Sequence, residues 1–437
     1  VRRMLGIAVA SAVAMVVLAV PANAVGSETF GWGRNLAGQA GDNTWVNRSL
    51  PSRTCAVGAT DCTANPLTGV KALVSARSSS FALLSDGTVA AWGSNERGAL
   101  GDGTTTTRYV PVRVCAVGAT DCVANPLTGV KALAGGERHA LALLANGTVL
   151  SWGSNSFGQL GDGTSTSTHR AIPAPVCAVG ATDCAANPLR GVRAIGAGPL
   201  HSLAVLANGS VVSWGDNGSG ELGDGSGAWV QKTPVRVAVT DVVAVAAGAS
   251  FSLALRSNGT VLSWGFNGSG QLGDGTTTGR PIPGPVCAPG ATDCAANPLT
   301  GVTSIAAAHT GSHVIAVRAN GIPLMWGFNG NGELGDGTTN DRHLPGPVCA
   351  VGATDCGAQP LTGITAVAAG NQFTLARTAV GTMLSWGANF DGMLGIGTTG
   401  PKELTPSQVL SPDGSGPLTR VTLISAGYWN SLAARSA

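Results

Sequence analysis

Seven Trp-Gly pairs, at Trp32, Trp92, Trp152, Trp214, Trp264, Trp326 and Trp386, are separated by 60, 60, 62, 50, 62 and 60 residues. Each opens the same punctuated stretch, shown most fully by Trp152-Gly153-Ser154-Asn155-Ser156-Phe157-Gly158-Gln159-Leu160-Gly161-Asp162-Gly163-Thr164. A long period kept through most of a chain restricts the architecture to a solenoid, a propeller or an array. What precedes each Trp-Gly narrows it further. In the second full repeat, Val130–Gly135 and His139–Leu144 lead into Asn146-Gly147, and Thr148–Gly153 follows. Asn-Gly between two apolar runs is a strong hairpin signal, and it recurs as Asp86-Gly87, Asn208-Gly209, Asn258-Gly259 and Asn320-Gly321. With a Pro-x-x-Val segment such as Pro111–Val114, each repeat supplies four short strands. The prediction is an all-β, seven-bladed β-propeller of four-stranded blades.

The chain ends complement each other. The first Trp-Gly strand, at Phe30–Gly33, lacks preceding strands, and the last repeat, at Val421–Gly427 and Ser431–Ala434, lacks its Trp-Gly strand. Together they predict one composite blade that closes the ring and removes exposed sheet edges. The step of 50 residues between Trp214 and Trp264 sets the basic unit. The longer repeats carry an insertion of roughly ten to twelve residues.

That insertion holds all ten cysteines, as five Cys-x6-Cys pairs: Cys55 and Cys62, Cys115 and Cys122, Cys177 and Cys184, Cys287 and Cys294, Cys349 and Cys356. An even count at one local spacing predicts five small disulfide loops in an oxidising compartment. A zinc site would need about four Cys or His ligands, and no His lies in these loops. Residues 1–24 fit a secretory signal peptide: Arg2 and Arg3, an apolar run from Met4 to Val20, and Ala22-Asn23-Ala24 as a small-x-small cleavage site. An uncleaved anchor is the alternative. Residues 25–437 are then the propeller, secreted or at the cell surface. Loss of Arg2 and Arg3 lowers the formal charge from +2 to 0, which removes the basic excess expected of a nucleic-acid binder.

The motif Trp-Gly-x-Asn-x-x-Gly-x-Leu-Gly-x-Gly-Thr, with Pro-x-x-Val downstream and an aromatic or His before Leu-Ala-Leu, resembles the regulator-of-chromosome-condensation repeat in all seven copies. The resemblance implies a seven-bladed propeller. Its members include a nuclear guanine-nucleotide exchange factor that docks on nucleosomes, attachments to ubiquitin ligases and kinases, and a secreted bacterial inhibitor of β-lactamases. What they share is binding through propeller loops.

Comparison among repeats tests each candidate residue. Phe81, His139, His201, Phe251, His313, Phe373 and Asn430 occupy one position. A general base cannot be exchanged for Phe, so these residues are read as packing near the channel. His169, His309 and His343 are read as surface or turn residues. The repeated Gly-Asp-Gly places Asp102, Asp162, Asp224, Asp274 and Asp336 in turns, where Asp before Gly is favoured, and Ile396 in the last copy argues against a ligand role. No nucleophile, phosphate-loop, zinc or dinucleotide motif is evident, so no catalytic residue, metal or cofactor is expected.

Arg48, Arg108, Arg170, Lys232, Arg280, Arg342 and Lys402 follow each motif Trp by 16 to 18 residues. Pairing with turn carbonyls or with the Gly-Asp-Gly carboxylate is the preferred reading; a basic ring receiving an acidic partner or polyanion is the alternative. Variable residues lie in or beside the same loops: Trp45, Glu96, Arg97, Tyr109, Phe157, Trp229, Phe266, Phe328, Asn389 and Phe390. Turns normally avoid large aromatics, and aromatics with Arg are typical of binding hot spots. The expected function is a monomeric, non-catalytic module that binds an extracellular protein or glycan by its loop face, with enzyme inhibition as the sharpest version. Nucleotide exchange with chromatin docking is the alternative, opposed by the leader, the cysteines and the zero net charge. A hydrolase or lyase on a propeller scaffold ranks third.

Overall fold

The computed structural model describes residues 28–165, 169–309 and 311–436; the leader expected at 1–24 lies outside them. Seven four-stranded antiparallel sheets form the ring. Blade one runs Val70–Ser75, Ser79–Leu84, Val89–Gly93 and Arg108–Arg113 from the inner strand to the outer. Blades two to six repeat this order over residues 130–175, 192–237, 242–285, 302–347 and 364–408. The closing blade is composite. Val421–Ala426 and Asn430–Arg435 supply its inner two strands, Glu28–Gly33 and Arg48–Arg53 its outer two. The join pairs Glu28 with Arg435, Phe30 with Ala433 and Gly33 with Asn430. Glu28 bridges Arg435 at 2.7 Å and Arg53 at 2.9 Å, so one carboxylate ties the last strand to the first two.

The apolar interior is divided into seven clusters, each straddling two adjacent blades and each containing one motif tryptophan. All seven motif tryptophans are fully buried. Each indole N–H donates to the backbone carbonyl that precedes the motif Leu, or Ala40 in the first copy, of the preceding blade: Trp152 to Ala99 at 2.9 Å, Trp264 to Glu221 at 2.8 Å, Trp32 to Met393 at 2.9 Å. A side chain of this size buries about 150–250 Å², on the order of 4–6 kcal/mol at about 25 cal/mol/Å² as an upper figure.

The motif glycines follow from this seam. Gly161 has φ 66°, and a Cβ there would lie 2.8 Å from Trp214 Nε1. Gly158 has φ 72°, and its Cβ would lie 2.9 Å from the Cα of Lys232 in the next blade's outer strand. A side chain at either point would push two blades apart.

All five expected disulfides are formed, with Cα–Cα distances of 4.0–4.2 Å. Each loop is also closed by a bridge such as Cys55 to Pro66, and the cysteine-free loop after blade six makes the same bridge between Leu410 and Pro417. The bridge at the base of the loop therefore forms without a disulfide in this shorter loop. Gly58 in the first of these loops donates to Pro111 O in the outer strand of blade one at 3.0 Å.

Candidate binding face

Because strands alternate in direction, two sets of loops share one end of every blade: the loop from inner to second strand and the long loop from third strand to outer strand. The long loop carries most of the Trp-Gly motif. Its local logic is a buried Asn-Asp core. In blade two the Asn155 side chain donates to Asp162 at 3.0 Å and accepts from Leu160 N at 3.0 Å, while Thr164 N donates to Asp162 at 3.0 Å.

An arginine completes this core in five blades. Arg48–Asp42 and Arg108–Asp102 lie at 2.8 Å, Arg170–Asp162 and Arg280–Asp274 at 2.9 Å, and Arg342–Asp336 at 2.6 Å. Burial alone would raise the Asp102 carboxyl, but hydrogen bonds from Thr104, Arg108 and Asn95 outweigh it and hold the pKa below its ordinary value.

The two lysines stand elsewhere. Arg108 pairs in register with Gly93, but the residue opposite Gly215 is Gln231 and that opposite Gly387 is Glu403. Gln231 donates to Asp224 at 3.0 Å, leaving Lys232 exposed one step further along. Lys402 reaches Gly330 O in the preceding blade at 3.2 Å. Equal sequence spacing thus concealed a one-residue difference in register, because the loops differ in length.

A second substitution lies beneath the face. Gln39, Gln159 and Gln271 each accept from a backbone N–H two residues earlier through Oε1. Blades three and five have Glu221 and Glu333 there, making the same bond to Ser219 N and Asn331 N at 2.8 Å. Burial raises both carboxyls from 4.5 to about 7, and Asp216 hydrogen-bonded to Glu221 adds to the rise there.

The channel is narrow, about 70 Å³, and lined by small residues such as Ala134, Gly196, Ala246 and Ala368. His139, His201 and His313 contact the next blade's Ser202, Ser252 and Thr374 hydroxyls at 3.1, 3.0 and 3.2 Å. Burial lowers all three to about 3, so they are neutral packing groups. His309 corrects the expectation of a surface or turn histidine. Blade five has two more residues than blade two between inner and second strand, and His309 from this longer loop enters the channel. Both ring nitrogens are buried, against the backbone of Gly135 and Ala197, and burial lowers its pKa to about 4.

The unrepeated aromatics are on the outside. Trp45 is 64% and Trp229 79% exposed, and Tyr109, Phe157, Phe266 and Phe390 are also exposed. Trp45 meets Tyr109 of the next blade edge-on at 5.9 Å. Trp229 and Phe266 border one groove of about 450 Å³ across blades three and four. Phe328 is half-buried, its ring over Gly330, as the Phe266 ring lies over Gly268. Glu96 and Arg97 are exposed in a 3₁₀ turn, and Glu96 pairs with Arg138 at 3.2 Å. Asn389 is buried and accepts from Leu394 N at 3.1 Å.

A second cluster was not anticipated. Arg34 stacks on Trp429 at 4.5 Å, Trp429 lies 4.7 Å from Tyr428, and Arg77 stacks on Tyr428 at 5.1 Å. Arg77 also pairs with Glu137, which lies 3.7 Å from Arg138. Most of these residues come from the three-residue loops between inner and second strands. The available signal was variation, since Arg77-Ser78, Glu137-Arg138, Pro199-Leu200 and Tyr428-Trp429 differ between nearly constant flanks.

Among the described residues no group of three or more His, Cys, Asp or Glu is placed to hold a metal ion. A rigid ring with an invariant interior and a variable loop surface defines a repeat-propeller recognition scaffold. The chain belongs to the RCC1-like domain family: that family's model matches residues 5–360, and models of the regulator of chromosome condensation (RCC1) repeat match residues 364–392 and 381–434. Similar proteins include the ultraviolet-B receptor UVR8 of Arabidopsis thaliana, 30% identical over 362 residues covering 82% of this chain and 72% of that protein. The mitochondrial RCC1 domain-containing protein RUG3 of the same plant is 27% identical over 404 residues, covering 87% and 82%. Among solved structures, human WBSCR16 superposes with a TM-score of 0.73 at 20% identity, covering 94% of this chain and 99% of that one. Prp20p of Saccharomyces cerevisiae gives 0.70 at 18% identity, covering 94% and 91%. These two likenesses show the shared fold.

Proposed function

We propose that the protein is a non-catalytic binding module that works outside the cytoplasm and recognises a protein or glycan through the loop face. One observation carries this reading: the tryptophans that repeat are buried, whereas Trp45 and Trp229, which do not repeat, are largely exposed on loops of one face. Exposed aromatics gain little for the fold, and their large rigid surfaces suit recognition. The five disulfides support an oxidising location. Receptor and repeat-domain relatives support a role in binding. The test is cross-linking capture from culture medium and cell surfaces, alongside a glycan array, using wild type and Trp45→Ser/Trp229→Ser/Phe390→Ser. The expected result is a ligand held by wild type and lost by a variant that melts normally. Equal retention by this variant and by one that replaces the arginines of the same loop face would overturn the reading.

A further inference from the structure

Arginine outside the Asp clamps is confined to one arc of the loop face. Apart from the arginines that clamp the Asp turns, the described loops at this end contain four basic residues, Arg34, Arg77, Arg97 and Arg138, all in the closing blade and blades one and two. The corresponding loops of blades three to six contain no Arg or Lys, but do contain Asp341 and Asp391; just past them, in the outer strands of blades three and six, stand single lysines, Lys232, which is exposed, and Lys402, which is engaged with Gly330 O. The closing blade, blade one and blade two are consecutive around the ring, so the four arginines form a continuous sector.

We infer that this sector is the docking site for an acidic segment of a partner protein, an inference that rests on the loop-face reading above. Three observations select that partner chemistry. First, the basic excess is modest: Glu96 and Glu137 stand among the four arginines, paired with Arg138 and Arg77. A densely charged polyanion would meet both carboxylates, whereas a peptide carrying a few acidic side chains can avoid them. Second, Arg34 and Arg77 flank the Tyr428–Trp429 pair as cations stacked on rings. Trp, Tyr and Arg are the residues enriched at the energetic centres of protein interfaces, and the stacking fixes the guanidinium planes before a carboxylate arrives. Third, Arg97 is held at φ 61°, a left-handed conformation uncommon for a non-glycine residue. A groove of about 330 Å³ runs beside it, bordered by Arg138, Phe157 and Leu200, and offers an apolar neighbour to the acidic contact.

The probe is a displayed library of random twelve-residue peptides, selected on the intact protein and read by sequence and by titration. Peptides enriched in Asp or Glu next to an apolar residue are expected. Their affinity should fall at least tenfold in Arg34→Gln/Arg97→Gln/Arg138→Gln and rise at least threefold in Glu96→Gln/Glu137→Gln, with weakening in 0.5 M salt. The second variant gains affinity, so misfolding cannot imitate it. Recovered peptides without acidic bias, equal binding by the arginine variant, tighter binding of a sulfated glycan through the same arginines, or no recovered peptide would each overturn the inference. If ligands depend on Trp45, Trp229 and Phe390 instead, this inference falls and the loop-face reading stands. If ligands depend on neither set, both fall.

Discussion

The chain has ten tryptophans and uses them in two ways. Seven sit in the blade seams, fully buried, each with its N–H bonded to the preceding blade. The other three, Trp45, Trp229 and Trp429, are on the loop face, each in a different setting: edge-on to Tyr109, bordering an open groove, and stacked under Arg34. The seam residues are interchangeable because every seam poses the same packing problem. The face residues are not interchangeable, and this difference separates what maintains the ring from what is free to recognise something.

The largest effect that would break this division is in the seam. Trp264→Ala should lose about 3–5 kcal/mol, the usual range for deleting a buried aromatic, seen as a lower urea midpoint. A loss as large for Trp229→Ala would abolish the distinction. Next is the acid under the face. Glu221 is protonated in the folded chain up to about pH 7, whereas its ordinary value is 4.5, so the folded state holds a proton that the unfolded state releases. Stability from this group is therefore present below pH 4.5, declines as pH rises towards 7, and stays lower above it. Glu221→Gln reproduces the arrangement of Gln159 and Gln271; it should raise stability by roughly 3 kcal/mol at pH 8 and by little at pH 4.5, measured by urea unfolding at both. A gain that does not depend on pH would show that the carboxyl is not the cause.

Smaller still is the clamp. Arg342→Ala strands the mostly buried Asp336 and should cost about 1–3 kcal/mol, whereas Lys402→Ala, which loses one backbone contact, should stay within about 0.5 kcal/mol. Equal losses would restore the seven-membered basic ring. The smallest effect expected is Trp229→Ala, within about 0.5 kcal/mol of wild type while removing ligand captured by the face.

Most of the fold was legible because repetition acts as its own control. The Trp-Gly period gave seven blades, Asn-Gly turns gave the hairpins, and the mismatched ends gave the composite blade. The clamp illustrates the limit. Arg170 and Lys232 look equivalent by distance from their tryptophans, but only the strand register, Gly153 with Arg170 and Gly215 with Gln231, tells which side chain turns towards the aspartate. His309 was missed for a related reason: a two-residue lengthening of one loop is invisible to local pattern but carries a side chain into the channel. The Arg77, Tyr428 and Trp429 cluster draws on both ends of the chain, and its proximity exists only once the ring is closed.

Ring closure also orders events in time. Strand Glu28–Gly33 must wait for Asn430–Arg435, and Glu28 for Arg435, 407 residues later. A chain delivered from its N-terminus therefore carries an open, apolar strand edge through Phe30 and Trp32 until the six intervening blades have emerged. During that interval the edge is a template for mispairing, and the last strand to arrive acts as the chain's own proofreading step: only a molecule with every intervening blade in place can satisfy it.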